Sequence, residues 1–248
     1  MEKIETSEGN VQMALRRSNL IFYVMKQVAE VVHRRKYQIT HEGTENIPRK
    51  GPVLIIPKHQ YESDIVFEGL VLYDCVGRMG NWVMRAGLSG SKKFREKLGG
   101  IEFVRPTREE AYRARQETEH VADKRERREA IHTYLEGTVR EANKEPTEYV
   151  EWLLQKGEPI ILHVEGTRSP GKVTHPVMGL VNHIKDYETQ SGIEIPLVIM
   201  GINYTQGLKR TRVHFNVGEQ RSFQEDNLAD TIYTELKRLS NLPGVDEV

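Results

Sequence analysis

The chain has 248 residues, enough for one large α/β domain or two small ones, and its 36 Lys and Arg balance 36 Asp and Glu. Net charge therefore gives no argument for nucleic acid, and none is expected as a partner. The one cysteine, Cys75, excludes an internal disulfide framework and a cysteine-rich metal site. No run approaches the ~18 apolar residues of a spanning helix, and the N-terminus lacks a basic-apolar-small secretory pattern.

Residues 1–10 are polar and expected to fray. Val11 to Arg35 reads as a helix, with Leu15, Phe22, Met25, Ala29 and Val32 on one face and Ile21, Val24, Val28 and Val31 widening it. Arg16, Arg17, Lys26, Arg34, Arg35 and Lys36 flank this apolar stretch. Such a helix packs on a core or lies in a membrane interface. Tyr37–Thr40 reads as a short strand, His41–Gly51 as a loop, and Val53–Ile56 as a buried strand of the kind flanked by helices. A helix is expected over Ile65–Tyr73, a short strand over Trp82–Met84, and a basic helical segment over Ser91–Leu98, closed by Gly99-Gly100.

Ile101–Val104 reads as a strand leading into Arg105. Thr107–Lys144 is dominated by charge and reads as a long solvated helix or a helical pair, continued over Thr147–Lys156. Further strands are expected at Ile160–Val164, Ile195–Met200 and Val213–Val217. Helices are expected at Met178–Tyr187 and Leu228–Leu239. Strands alternating with helices imply one α/β domain with a mainly parallel sheet flanked by helices, preceded by an N-terminal amphipathic helix. Residues 1–36 form that helical segment, 37–248 the domain, and 106–150 a charged helical insertion.

Several strands end in polar turns. Val53–Ile56 runs into Pro57 and Lys58, then delivers His59 and, five positions later, Asp64. A His can act as a base near neutrality, and an Asp can fix its tautomer. Alone, this stretch better fits a surface His beside a helix cap, with Ser63 or Asp64 as the cap. Arg105 ends a second strand, and Glu165-Gly166-Thr167-Arg168-Ser169 ends a third. Ligands of α/β sheets sit beyond the carboxyl ends of the strands, so Arg105 and Arg168 fall on the rim that holds His59. Two guanidiniums there suit a phosphate. Ser63 lacks the nucleophile elbow of a serine hydrolase. No histidines stand at metal-ligand spacing, so no metal is expected.

These stretches together resemble the glycerolipid acyltransferases typified by 1-acyl-glycerol-3-phosphate acyltransferase, over about Tyr37 to Tyr204. His59 and Asp64 match the family's H-x4-D. Gly99, Gly100, Phe103 and Arg105 match its G-x-x-F-x-x-R, with one residue fewer between Phe and Arg. Glu165 to Ser169 match its Phe-Pro-Glu-Gly-Thr-Arg-Ser string, with His163 and Val164 replacing Phe-Pro. Pro196 matches the fourth block, although Met200 stands where a second Pro is common. Lys58 stands where Asn is common, and Tyr61 where Ser is common.

The resemblance implies transfer of a fatty acyl group from acyl-CoA or acyl-acyl-carrier protein to a hydroxyl of a phosphate-bearing lipid, with lysophosphatidate first among acceptors. His59 would be the general base and Asp64 its partner, with no cofactor. Arg105, Glu165, Gly166, Thr167 and Arg168 would bind substrate. Glycerol-3-phosphate or another O- or N-acceptor stays open, as does a catalytically silent lipid-binding protein. Such a substrate implies peripheral attachment to the cytoplasmic face of a membrane. The basic segment from Lys92 to Lys97 would then meet coenzyme A phosphates or anionic headgroups.

Overall fold

The computed structural model describes residues 4–5, 11–33, 35–88 and 90–247. Most of the polar stretch expected to fray, together with Arg34, lies outside these residues. A two-stranded antiparallel pair comes first, β1 (Ile4–Glu5) and β2 (Val11–Gln12). The helix expected from Val11 begins eight residues later, as α1 (Asn19–His33). The delay has a physical cause. The Arg17 guanidinium is buried, donates to the Met79 carbonyl at 2.7 Å, and pairs with Glu158 at 3.1 Å, which draws residues 13–18 onto the domain as non-helical chain. Ser18 then caps the helix, its hydroxyl accepting from Ile21 N at 3.4 Å.

The buried face of α1 differs from the one expected. Phe22 is buried and packs near Trp82 and Tyr73, His33 meets Phe67 and Tyr37, and Lys26 lies on the packed side, paired with Asp74 at 2.7 Å. The valines of the opposite side, with Leu20 at 73% and Val31 at 65% exposure, stay in the open. An ion pair and ring contacts therefore outweigh hydropathy in orienting this helix.

After α1 the chain forms β3 (Tyr37–Glu42), β4 (Val53–Pro57) and α2 (Asp64–Val71), which widens into a π turn over Leu72–Val76. β5 (Asn81–Arg85), α3 (Lys92–Lys97) and β6 (Gly100–Phe103) follow. The charged stretch folds as a helical pair, α4 (Arg108–Glu117) and α5 (Lys124–Gln155). Thr107 opens α4 with a full capping box to Glu110. β7 (Pro159–Leu162), α6 (Gly179–Ser191), β8 (Leu197–Thr205), β9 (Thr211–Arg221) and α7 (Leu228–Ser240) complete the domain.

The seven-stranded sheet has the order β3-β9-β8-β4-β7-β5-β6. Every pairing in it is parallel except β8 with β9, which form a long hairpin. Those two strands extend well beyond the short segments expected for them, because each supplies the other's hydrogen-bond partners. β4 lies near the centre and is buried along its whole length. Its alternate residues serve two cores. Leu54 and Ile56 face α5, α6 and α7, with Leu154, Ile184 and Leu236. Val53 and Ile55 face α1 and α2, with Phe22, Phe67 and Leu70. Each such side chain contributes roughly 1.5–3 kcal/mol on burial.

β6 forms one edge of the sheet. Just past its end, the Asn143 side chain on α5 accepts from Val104 N at 2.7 Å and donates to Val104 O at 2.9 Å. No helix among the described residues is long and apolar enough to cross a membrane.

Candidate active site

The parallel strands point their carboxyl ends at one rim. β4 reaches it first. After Pro57 the chain turns sharply, and Asp64 opens α2 with its side chain fully buried. The carboxylate is held from several sides. Oδ2 accepts from Gln60 N at 2.6 Å and Tyr61 N at 2.8 Å, and lies 3.3 Å from His59 Nδ1. Oδ1 accepts from the Tyr204 hydroxyl at the end of β8. Burial pushes this carboxyl up, but the hydrogen bonds from His59, Tyr204, Tyr61 and Gln60 outweigh it and hold the group below the usual carboxylate range. Asp64 is thus an anion at neutral pH. Burial and the Asp64 charge push the Tyr204 phenol up, so it stays a donor.

With a carboxylate facing Nδ1, the neutral His59 ring carries its proton there and presents the Nε2 lone pair. The His59 side chain keeps 15% exposure, so it is recessed yet reachable. The resulting unit is an oriented imidazole beside a buried anion, an arrangement able to accept a proton.

Glu165 joins this turn to the one after β7. Its Oε2 accepts from Lys58 Nζ at 2.7 Å and from His59 N at 3.1 Å, and its Oε1 accepts from Thr174 N at 2.9 Å. Lys58 is completely buried and also donates to Ser169 O at 2.9 Å and His59 O at 3.2 Å. Ser169 N returns a bond to His59 O at 2.9 Å. The Glu-Gly-Thr-Arg-Ser turn and the His-Asp turn are therefore cross-linked beneath the rim. Glu165 sits in this support, not on the open face. β7 ends at Leu162 rather than Val164, because Gly166 N bonds back to His163 O and closes a turn. Gly166 takes φ +71°, a conformation suited to glycine.

Arg105 lies beyond β6 and donates from Nη1 to the Gly166 carbonyl. Burial, and then the nearby Arg85 charge, push its guanidinium down. Arg168 and Thr167 are exposed on the turn itself, and Arg168 pairs with Glu62. The rim thus gathers His59, Asp64, Arg105, Gly166, Thr167 and Arg168. The basic segment is partly spent on its own structure, since Arg95 bonds Glu102 at 2.6 Å. Burial pushes the Cys75 thiol up, away from activation.

Four neighbours of these side chains are not singled out by the sequence: Glu68, Arg85, His163 and Tyr204. His163 stacks on His59 with ring centroids 4.1 Å apart and an interplanar angle of 26°. Its Nε2 lies 2.8 Å from Oε1 of the buried Glu68, whose Oε2 accepts from Trp82 Nε1 at 2.9 Å. Two signals were available. Glu68 follows Asp64 by one helical turn, and Arg85 ends a strand as Arg105 does.

An acyltransferase family model matches residues 38–200. No curated protein matches the chain at a significant level. Among solved structures, the 1-acyl-sn-glycerophosphate (LPA) acyltransferase PlsC from Thermotoga maritima shares the fold, with a TM-score of 0.51 and 17% identity over 89% of this chain and 79% of that one.

Proposed function

The chain belongs to the acyltransferase family, and from that premise we propose that it moves a fatty acyl group from an acyl thioester to a hydroxyl of a phosphate-bearing glycerolipid, with lysophosphatidate the leading acceptor. The observation that carries this reading is His59, recessed on the rim with Nδ1 against the fully buried Asp64 and Nε2 left for substrate. Nε2 removes the acceptor proton as the hydroxyl oxygen attacks the thioester carbonyl. A carbon–oxygen bond forms, the carbon–sulfur bond breaks, and the thiolate leaves with the proton that His59 took. Asp64 stabilises the imidazolium between these steps. No enzyme nucleophile is needed.

Arg105 and Arg168 flank the Gly166 turn and hold the acceptor phosphate, with Thr167 beside them. The thioester donor is acyl-CoA or acyl-acyl-carrier protein, and neither a metal nor a cofactor enters the reaction. Peripheral docking on a membrane fits such an acceptor. The open face of α1 carries Leu20, Val24, Val28 and Val31, and exposed Arg35 and Lys36 lie at its end. The β8–β9 tip adds Leu208, fully exposed, with Lys209 and Arg210. Retention by membranes through salt washing and release by carbonate would support this docking. Complete recovery in the aqueous fraction without either would refute it.

The decisive assay measures thiol release from acyl-CoA with a panel of acceptors, for wild type and His59→Ala. Loss of about a hundredfold or more is expected for removal of a general base. Equal release by both proteins overturns the proposal, and the acceptor panel separates lysophosphatidate from glycerol-3-phosphate and from acceptors lacking phosphate.

A further inference from the structure

The rim holds more imidazole and carboxylate than the proposed reaction uses. Asp64 and Glu68 stand one turn apart on α2, so both carboxylates rise from the same helix face. Both are fully buried. Each engages one of two imidazoles, and those rings lie almost face to face. We propose that His163 and Glu68 form a second imidazole–carboxylate pair that positions His59 and governs which of the two stacked rings carries a proton. The proposal rests on the acyl-transfer reading and assigns the site a positioning residue that touches no substrate.

A purely structural stack does not account for the arrangement. A phenylalanine at position 163, as in the string this turn resembles, would supply the flat surface without charge. Burying Glu68 is costly unless it is paired and hydrogen-bonded. Here it has both kinds of partner, His163 on one oxygen and Trp82 on the other. Trp82 in turn packs against Phe22 of α1, so the second pair is anchored in the core.

The charges facing His163 come from every side of the site. Glu68 and Asp64 face it from α2, Glu165 from its own turn, and His59 from the turn after β4. Lys58 lies behind Glu165, already paired with it. Burial opposes charging His163, but Glu68 first, then Asp64 and Glu165, outweigh it and push the imidazole up. Two imidazoles stacked this closely resist both becoming cations. The first proton goes to His163, whose Nε2 meets its carboxylate at 2.8 Å, against 3.3 Å between His59 and Asp64. His59 then keeps the lone pair that the reaction needs.

The test compares pH profiles of kcat/KM for thiol release in wild type, His163→Phe and Glu68→Gln, alongside histidine NMR titrations of the folded protein. His163→Phe preserves the stack and removes the charge. Its acid limb is expected to move to higher pH by about one unit, the size expected from a neighbouring charge. Glu68→Gln should move the limb the same way by less. In wild type the two rings should titrate in separated steps, the upper one lost in His163→Phe. Acid limbs that coincide with wild type in both variants, or two rings titrating independently near the ordinary value of ~6.5, would overturn the proposal. The NMR titration needs no turnover, so it decides the pairing even if the acyl-transfer reading fails.

Discussion

Lys58 offers the sharpest test of how the site is supported. Its ammonium is completely buried and its three donors are used, on Glu165 Oε2, Ser169 O and His59 O. Burial pushes this amine down, and Glu165 works against that shift. Replacing it by Met fills the volume but leaves the Glu165 carboxylate buried with no cation, beside two backbone amides and the Thr174 hydroxyl. Breaking a buried pair in this way costs about 3–5 kcal/mol. For a domain of this size each kcal/mol lowers Tm by about 2–4 °C, so Lys58→Met should melt about 6–20 °C below wild type. The double variant Lys58→Met/Glu165→Gln buries no unpaired charge and should recover part of the loss. The assay is thermal and urea unfolding of all four members of the cycle. A single variant melting within about 2 °C of wild type would refute the reasoning. So would a double variant no better than the single.

Acid should act through Asp64. Its folded-state pKa lies below the ordinary value of ~3.9, so the unfolded chain takes up the proton first and the contribution is present above pH ~4. That contribution is lost as pH falls through the folded value. Wild type should therefore lose stability more steeply than Asp64→Asn below pH ~4, and parallel stability curves would contradict this. Gly201 permits the closest approach of β8 to α7, because an added Cβ would fall on the Leu239 backbone. Gly201→Ala should cost about 1–3 kcal/mol or more in urea unfolding, and an unchanged midpoint would show that α7 can move away freely.

Much of this molecule was legible in its residues because the relevant signals are local. The unbroken apolar run of β4, the turn chemistry after it, and the Glu-Gly-Thr-Arg-Ser turn each declare themselves within a few positions. The parallel sheet followed from the alternation of such runs with helices. The antiparallel β8–β9 hairpin did not, because nothing in either strand names its partner. The orientation of α1 is hidden from hydropathy for a different reason. Lys26 and His33 count as polar, yet they pack inward because Asp74, Phe67 and Tyr37 receive them. The second dyad was hidden by distance along the chain, since His163 and Glu68 are 95 positions apart and Tyr204 is 140 from Asp64. Only the fold makes such residues neighbours.

The two-point grip of Asn143 on Val104 has a consequence for anyone who would trim the charged helices to a minimal domain. A side-chain amide there imitates the donor and acceptor of a further strand, at the border where the sheet would otherwise recruit one. Arg105 follows immediately, so the same clasp fixes the departure of the chain toward the Gly166 turn. Excision of the helical pair would open a sticky margin and loosen Arg105 at once. The segment that looks most dispensable by composition is thus a splint for the sheet's most vulnerable border.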